Sequence, residues 1–226
     1  MIGKSIFSLK LLRGGATHSD LFYHIISPEN LLLAWREFKR GKAKKIDIQE
    51  FDFYLEENIF KLHNELKNKT YKPSPYIPFY VCDPKRRHIH KACVRDRVVH
   101  QALFRIISPI FEKSFIYDSF SCRKYKGTHA GVERLENFLR QSSKNYSQIT
   151  YALKCDISKF FDSIDHCILK NLLRKKITDN DVFWLLEIII DGFEKKSKIY
   201  AMADISNSPL LAIAKSGELK KRASSR

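Results

Sequence analysis

Residues 151–166 read YALKCDISKFFDSIDH, and the interpretation of the fold starts from this stretch. The residues from Ile149 to Cys155 are rich in β-formers, which predicts a buried strand that ends just before Asp156. A carboxylate at the end of a buried strand, before a turn, is well placed to hold Mg²⁺, because this hard ion prefers oxygen ligands. Taken alone, Asp156 is also consistent with a residue that only forms the turn.

The rest of the chain predicts an α+β fold that is helix-rich with a small antiparallel sheet. Two strands, Tyr76–Cys82 and Arg87–Lys91, are predicted on either side of a turn at Asp83-Pro84-Lys85. A capping box at Thr178 and Asp181 predicts the start of a buried C-terminal helix. Helices upstream of it are predicted from the spacing of apolar residues over 29–40, 47–67, 94–107 (ended near Pro109), about 128–141 and 165–176.

The charge balance restricts the class of partner. Forty-one Lys and Arg against 25 Asp and Glu give a formal net charge of +16, which predicts salt-sensitive attraction to nucleic acid or to an anionic membrane. No apolar run reaches the roughly 20 residues of a spanning helix, and the first residues lack the pattern of a signal peptide. We therefore expect no membrane partner and a cytoplasmic location.

Metal binding through cysteine or histidine is not favoured by the sequence. The five cysteines are scattered, without a CxxC pair, so neither a disulfide framework nor a zinc site is predicted. His88 and His90 would share one face of a strand, but no further ligand stands at a suitable spacing.

The pattern DIxxFFDxIDH resembles motif A of the reverse transcriptases of group II introns, retrons and diversity-generating elements. The resemblance implies that Asp156 binds metal and that Ile157 lends a backbone carbonyl to it, in a site for two Mg²⁺ ions. It also implies that Phe161 is the aromatic gate that rejects a ribose 2′-hydroxyl, which favours deoxynucleotides. The alternatives are that Phe160 and Phe161 lie in the core and that Asp165 caps the following helix.

A second resemblance lies upstream, in DPKRRHIHKACVRDRVVHQALF and the residues that follow. It is similar to the finger strands and the Asp-Arg helix of the same family, which implies that Arg87 and Lys85 grip the incoming triphosphate. The alternative is a solvated basic turn. Three further basic residues are expected to face nucleic-acid phosphates as a run of charge: Arg123, Lys124 and Lys126.

The resemblance covers about residues 20–193 and implies right-hand polymerase fingers with a partial palm. The corresponding segments are an N-terminal helical segment (1–75), fingers and finger–palm helices (76–148), a partial palm with motif A (149–194), and an atypical tail expected to be disordered (195–226). RNA template, DNA or RNA primer, dNTP and Mg²⁺ are the partners that it implies.

Two motifs of the family, a Gly-rich SQ-type motif and a Tyr-x-Asp-Asp turn, do not occur in this sequence. A single motif-matched carboxylate cannot seat two Mg²⁺ ions, so RNA-directed DNA polymerase activity is expected as an inherited function that this chain alone does not perform. A truncated or frame-shifted gene product is the simplest expectation. The alternatives are a non-catalytic nucleic-acid-binding protein and a subunit that a second polypeptide completes with the rest of the palm.

Overall fold

A computed structural model describes residues 20–84, 86–158 and 160–192. Lys85 and the expected tail over 195–226 therefore lie outside the described residues. The chain forms two compact units, one with the described residues up to Ile106 and those from His166, the other covering Ile107–Asp165. The elements are α1 (Leu21–Ile26), α2 (Pro28–Lys39), α3 (Ile46–Phe53), α4 (Leu55–Lys67), β1 (Ile77–Cys82), β2 (Arg86–Lys91), α5 (Val94–Glu112), α6 (Thr128–Ser142), a 3₁₀ turn (Phe161–Ser163), α7 (His166–Arg174) and α8 (180–192).

The α+β prediction agrees with this helix-rich chain and its one small antiparallel sheet. β1 and β2 pair with Tyr80 opposite His88 and Val81 opposite Arg87, so the hairpin was predicted to within one residue at each strand start. None of the helices in the described ranges has both the length and the apolar character that crossing a bilayer requires.

The core of the first unit is built from the apolar faces of α1 to α5 and α8. Trp35 lies at its centre, almost fully buried, with its ring 4.7 Å from that of Phe51. Its indole N–H donates to Asp52 at 3.0 Å, which satisfies the polar edge of a buried ring. The other large side chains below 2 % exposure include Ile25, Leu31, Ile48, Ile59, Leu62, Leu66, Val98, Ile177 and Leu185.

Asn30 joins three helices through its buried amide. Its Nδ2 donates to the carbonyls of Ile25 at 2.9 Å and Ala102 at 3.1 Å, and its Oδ1 accepts from Arg105 Nε at 3.1 Å. Ser27 caps the N-terminus of α2 by accepting from the Asn30 amide, with Pro28 at the first helical position. These bonds fix the angle between α1, α2 and α5.

Three helix boundaries differ from the predictions. The predicted helix over 47–67 is broken at Tyr54, where the Asn58 side chain donates to the Phe51 carbonyl at 3.1 Å and satisfies the end of α3. Pro109 lies inside α5 and does not end it, because a proline removes only one helical hydrogen bond. α8 is capped by Asp179, not Thr178: Asp179 accepts from the amides of residues 181 and 182 and also from Phe22 N.

Candidate nucleic-acid and nucleotide interface

The segment that leads into the hairpin is fastened to α5 by Asp96. This carboxylate, with a side chain only 2 % exposed, accepts from the Tyr71 hydroxyl at 2.9 Å and from the Ser74 amide at 2.7 Å. Burial, with the nearby Asp96 charge, raises the pKa of Tyr71, so this hydroxyl remains a donor. Arg95 pairs with Glu65 and holds the same segment from its other side. The base of the hairpin is therefore fixed to the helical core.

One face of the hairpin presents Arg87. Because antiparallel partners share a face, Arg87 lies with Val81 opposite it and with the Phe79–Ile89 pair beside it. Arg87 is exposed, as are these three apolar side chains. No salt bridge within the described residues engages its guanidinium. Arg87 thus offers a free bidentate cation on an otherwise apolar strand surface, a suitable group for a phosphate.

The opposite face is an aromatic and histidine surface. The Tyr80 and His88 rings stack with centroids 4.7 Å apart and 19° between their planes, and the Arg86 guanidinium lies 4.0 Å from the Tyr80 centroid. The His88 and His90 rings lie 4.5 Å apart, which confirms that the two histidines share a face. No set of three or more potential metal ligands is found within the ranges that the structure describes.

The predicted buried strand before Asp156 is wrong. Residues 149–157 form no regular secondary structure, and Tyr151 and Leu153 are 92 % and 91 % exposed. The sheet formed by the described residues contains only β1 and β2, so this segment has no neighbouring strand to accept its backbone hydrogen bonds. A β-rich composition needs such a partner before it forms a strand.

Asp156 and Ile157 are exposed on this segment. One exposed carboxylate does not hold two Mg²⁺ ions against water. No group of three or more potential metal ligands is found among the described residues, and magnesium binding at Asp156 and Ile157 remains a prediction.

Phe161 follows at the start of the short 3₁₀ turn. Its ring is 78 % exposed and meets the Phe160 ring edge-on, with 5.3 Å between centroids. Neither ring is buried, so the structure does not place them in a core. The role of Phe161 as a sugar gate remains a prediction.

Of the three basic residues predicted to face phosphates, two have side chains that bond to other residues of the second unit and one does not. Arg123, with a side chain 10 % exposed, pairs with Glu112 at 2.7 Å and donates to the carbonyls of Ile116 and Ser119. Lys126 donates to the Tyr117 carbonyl and lies 4.0 Å from that ring centroid. Lys124 is exposed, and its side chain forms no hydrogen bond or ion pair with the described residues. Phosphate binding by the three remains a prediction, with Lys124 the most available of them.

Comparison with known proteins finds similarity to intron-encoded proteins and intron maturases. No family model matches it. It is 25% identical over 165 residues to the group II intron-encoded protein LtrA of Lactococcus lactis, which is 70% of this chain and 26% of LtrA. It is 26% identical over 127 residues to protein YkfC of Escherichia coli, covering 55% of this chain and 33% of YkfC.

A nuclear intron maturase of Arabidopsis thaliana mitochondria gives a third match, 28% identical over 102 residues. The chain spans a third or less of the length of these curated relatives. Its homologues are therefore group II intron-encoded proteins and intron maturases, at low identity and over part of the chain, which confirms the resemblance inferred from the motifs.

Proposed function

We propose that this chain forms the fingers and first palm segment of a reverse transcriptase of the group II intron type, and that it binds an RNA template and an incoming dNTP. The observation that carries the proposal is the hairpin: its base is fixed by Asp96, and it presents an unengaged Arg87 on the strand that the resemblance assigns to triphosphate binding. The intron-encoded relatives support the same proposal.

In this proposal each motif residue has a defined task. Arg87 and Lys85 neutralise the triphosphate, because charge that develops on phosphate oxygens needs a positioned cation. Phe161 excludes the ribose 2′-hydroxyl. Asp156 and the Ile157 carbonyl contribute to a Mg²⁺ site once a further carboxylate is present, and the bound ion would then polarise the reacting oxygens.

A non-catalytic RNA-binding protein is the second candidate. The names of the relatives include intron maturases, and the formal charge of +16 suits a protein that holds RNA without chemistry. A subunit completed by a second polypeptide with the rest of the palm is a variant of the first candidate. Primer extension in a protein that also supplies the rest of the palm distinguishes the two candidates, because only the first predicts synthesis there. RNA binding tests what they share.

RNA affinity is expected to depend steeply on salt. If six or more phosphates are contacted, the association constant should fall by roughly 10³-fold or more between about 50 and 200 mM salt, because each contact releases condensed counterions. Fluorescence anisotropy with single-stranded RNAs of unrelated sequence measures this slope. A flat salt dependence would contradict a basic RNA-binding surface.

Arg87→Ala should lower the rate of nucleotide addition by about 10²–10³-fold in a protein that also supplies the rest of the palm, since one charged donor to the transition state is removed. RNA affinity should change little. Single-turnover kinetics beside an RNA titration separates the two effects. Arg86→Ala is the matched control, because that guanidinium lies on the opposite face against Tyr80. Equal loss of rate and RNA affinity in Arg87→Ala would indicate a template contact instead.

A further inference from the structure

Six cationic side chains gather where α2 ends and α3 begins. Four of them, Arg36, Arg40, Lys44 and Lys45, are exposed, and Lys42 and Arg97 are partly exposed. None of the six forms a salt bridge with a carboxylate among the residues that the structure describes. We call this set, Arg36, Arg40, Lys42, Lys44, Lys45 and Arg97, the α2–α3 cationic cluster.

Two carboxylates close to the cluster in sequence are engaged by other cations, whereas Glu50 on α3 is exposed and forms no ion pair with a described residue. Asp52 pairs with Lys39 and also accepts from Trp35. Asp47, in the first turn of α3, pairs with Lys91 at 2.5 Å. These ion pairs lower the pKa of both aspartates.

Glu37 on α2 is engaged in the same way. It pairs with Arg105 and accepts from Gln101 at 2.9 Å. Asp52, Asp47 and Glu37 are thus paired with Lys39, Lys91 and Arg105. None of these three carboxylates compensates the positive charge of the cluster.

Two members are held in place by one buried ring. The Lys42 ammonium and the Arg97 guanidinium each lie 4.5 Å from the centroid of Phe38, a side chain that is almost fully buried. Lys42 also donates to the Phe38 carbonyl at 2.8 Å. Burial, together with the charges of Arg97 and Lys45, lowers the pKa of Lys42. Like charges are therefore kept close together and are already positioned before any ligand binds.

The backbone adds donors at the same place. α3 begins at Ile46, directly after Lys45, and no side chain caps its N-terminus. The amides of Ile48 and Gln49 donate to the Lys45 carbonyl, which leaves the amides of Ile46 and Asp47 as the donors that a helix start offers to an anion. Several cationic side chains of different length, beside these backbone donors, can contact several phosphates at once. Such an arrangement fits a nucleic-acid backbone better than a ligand with a single carboxylate.

We infer that the α2–α3 cationic cluster is a docking surface for the phosphate backbone of RNA, separate from the Arg87 face of the hairpin. The inference rests on the proposed RNA-binding function and specifies a second place at which this chain holds RNA. Contacts of this kind are independent of sequence and contribute affinity and position, not base recognition.

The test uses the full chain and a structured RNA in fluorescence anisotropy over a range of salt. The triple variant Lys42→Gln, Lys45→Gln, Arg97→Gln should bind about 10- to 100-fold more weakly near 100 mM salt. Its log–log salt slope should fall by about 2 to 3. The matched control Lys61→Gln, Lys67→Gln, Lys72→Gln removes the same charge from three exposed lysines of α4 and the segment after it, and should change affinity by less than about threefold.

A second variant tests the inference in case the triple variant fails to fold. Lys44→Gln, Lys45→Gln alters two exposed side chains and should weaken binding about 5-fold or more with an unchanged circular dichroism melt. Equal losses of RNA affinity in the cluster variant and the control variant would overturn the inference. The proposal that the chain binds RNA would still stand. Loss of binding to phosphatidylserine vesicles with RNA affinity unchanged would also overturn it. Wild-type chain without salt-dependent RNA binding would instead refute the proposed function, and with it this surface.

Discussion

Asp96→Ala is expected to lower the free energy of unfolding by about 3–5 kcal/mol, enough to unfold a large part of the population of a marginal domain. The carboxylate is almost fully buried and satisfies both the Tyr71 hydroxyl and the Ser74 amide. Its removal leaves two buried donors without an acceptor, at a cost of about 1–3 kcal/mol each. Urea denaturation followed by circular dichroism measures the change.

Three further variants test this explanation. Asp96→Asn should lie between wild type and Asp96→Ala, because its amide oxygen can accept from Tyr71 but its NH₂ group faces a second donor. Tyr71→Phe should cost about 1–2 kcal/mol, since it removes one donor and leaves Asp96 bonded to Ser74. Glu50→Ala, at an exposed position, should stay within about 0.5 kcal/mol. An Asp96→Ala variant as stable as the Glu50→Ala control would contradict the anchoring role.

Sequence patterns were sufficient to predict the elements that are stabilised by contacts between residues close in sequence. The hairpin was predicted as two strands joined by a turn at Asp83-Pro84-Lys85, and its strands start within one residue of the prediction. The helix α2 was predicted from its apolar spacing, and Ser27 and Pro28 fix its start chemically. In both cases the residues that define the element are neighbours in sequence.

Predictions that depended on distant partners were less successful. Residues 149–155 have a strand composition, but a strand forms only beside another strand, and none of the described residues supplies one. Asp179 was missed as the cap of α8 although its capping bonds, to the amides of residues 181 and 182, are local. Its further bond to the amide of Phe22 joins residues 157 positions apart and left no signal in the sequence. Composition carries no information on such pairings.

At the candidate site, too, the sequence predicted the features that depend on neighbouring residues and missed those that depend on distant contacts. The sequence placed Arg87 on a strand, and the register confirms that position. It could not show that Arg123 is bonded to Glu112 and to two carbonyls, or that Lys126 is held by Tyr117, whereas Lys124 is left exposed. It also gave no signal that Asp47, Asp52 and Glu37 pair with cations other than those of the α2–α3 cationic cluster. The net positive character of a surface depends on these pairings more than on the number of lysines.

The chain alone is expected to give no detectable primer extension with dNTPs and Mg²⁺. Asp156 is the one carboxylate that matches the metal-binding position, and it stands exposed on an unpaired segment. Transfer of a phosphoryl group by two ions needs at least one further carboxylate to seat both. Without the second ion the attacking 3′-oxygen is not activated and the leaving oxygens are not compensated. Template-dependent synthesis by the purified chain would contradict this and would assign the missing ligand to another of its carboxylates, such as Asp162 or Asp204.

In a protein that supplies the remaining palm residues, synthesis should appear, and Asp156→Ala should then reduce it by at least about 10³-fold, because the carboxylate that fixes both ions is removed. RNA affinity and the thermal melt should be unchanged, since the exposed Asp156 side chain forms no hydrogen bond or ion pair within the described residues. Glu133→Ala removes an exposed carboxylate from α6 of the same unit and should retain full activity. Gel-based extension of a labelled primer on an RNA template, beside the RNA titration, measures each arm. If Asp156→Ala kept activity while Glu133→Ala lost it, motif A would not be the metal site, and the non-catalytic RNA-binding candidate would be favoured for this stretch of the chain.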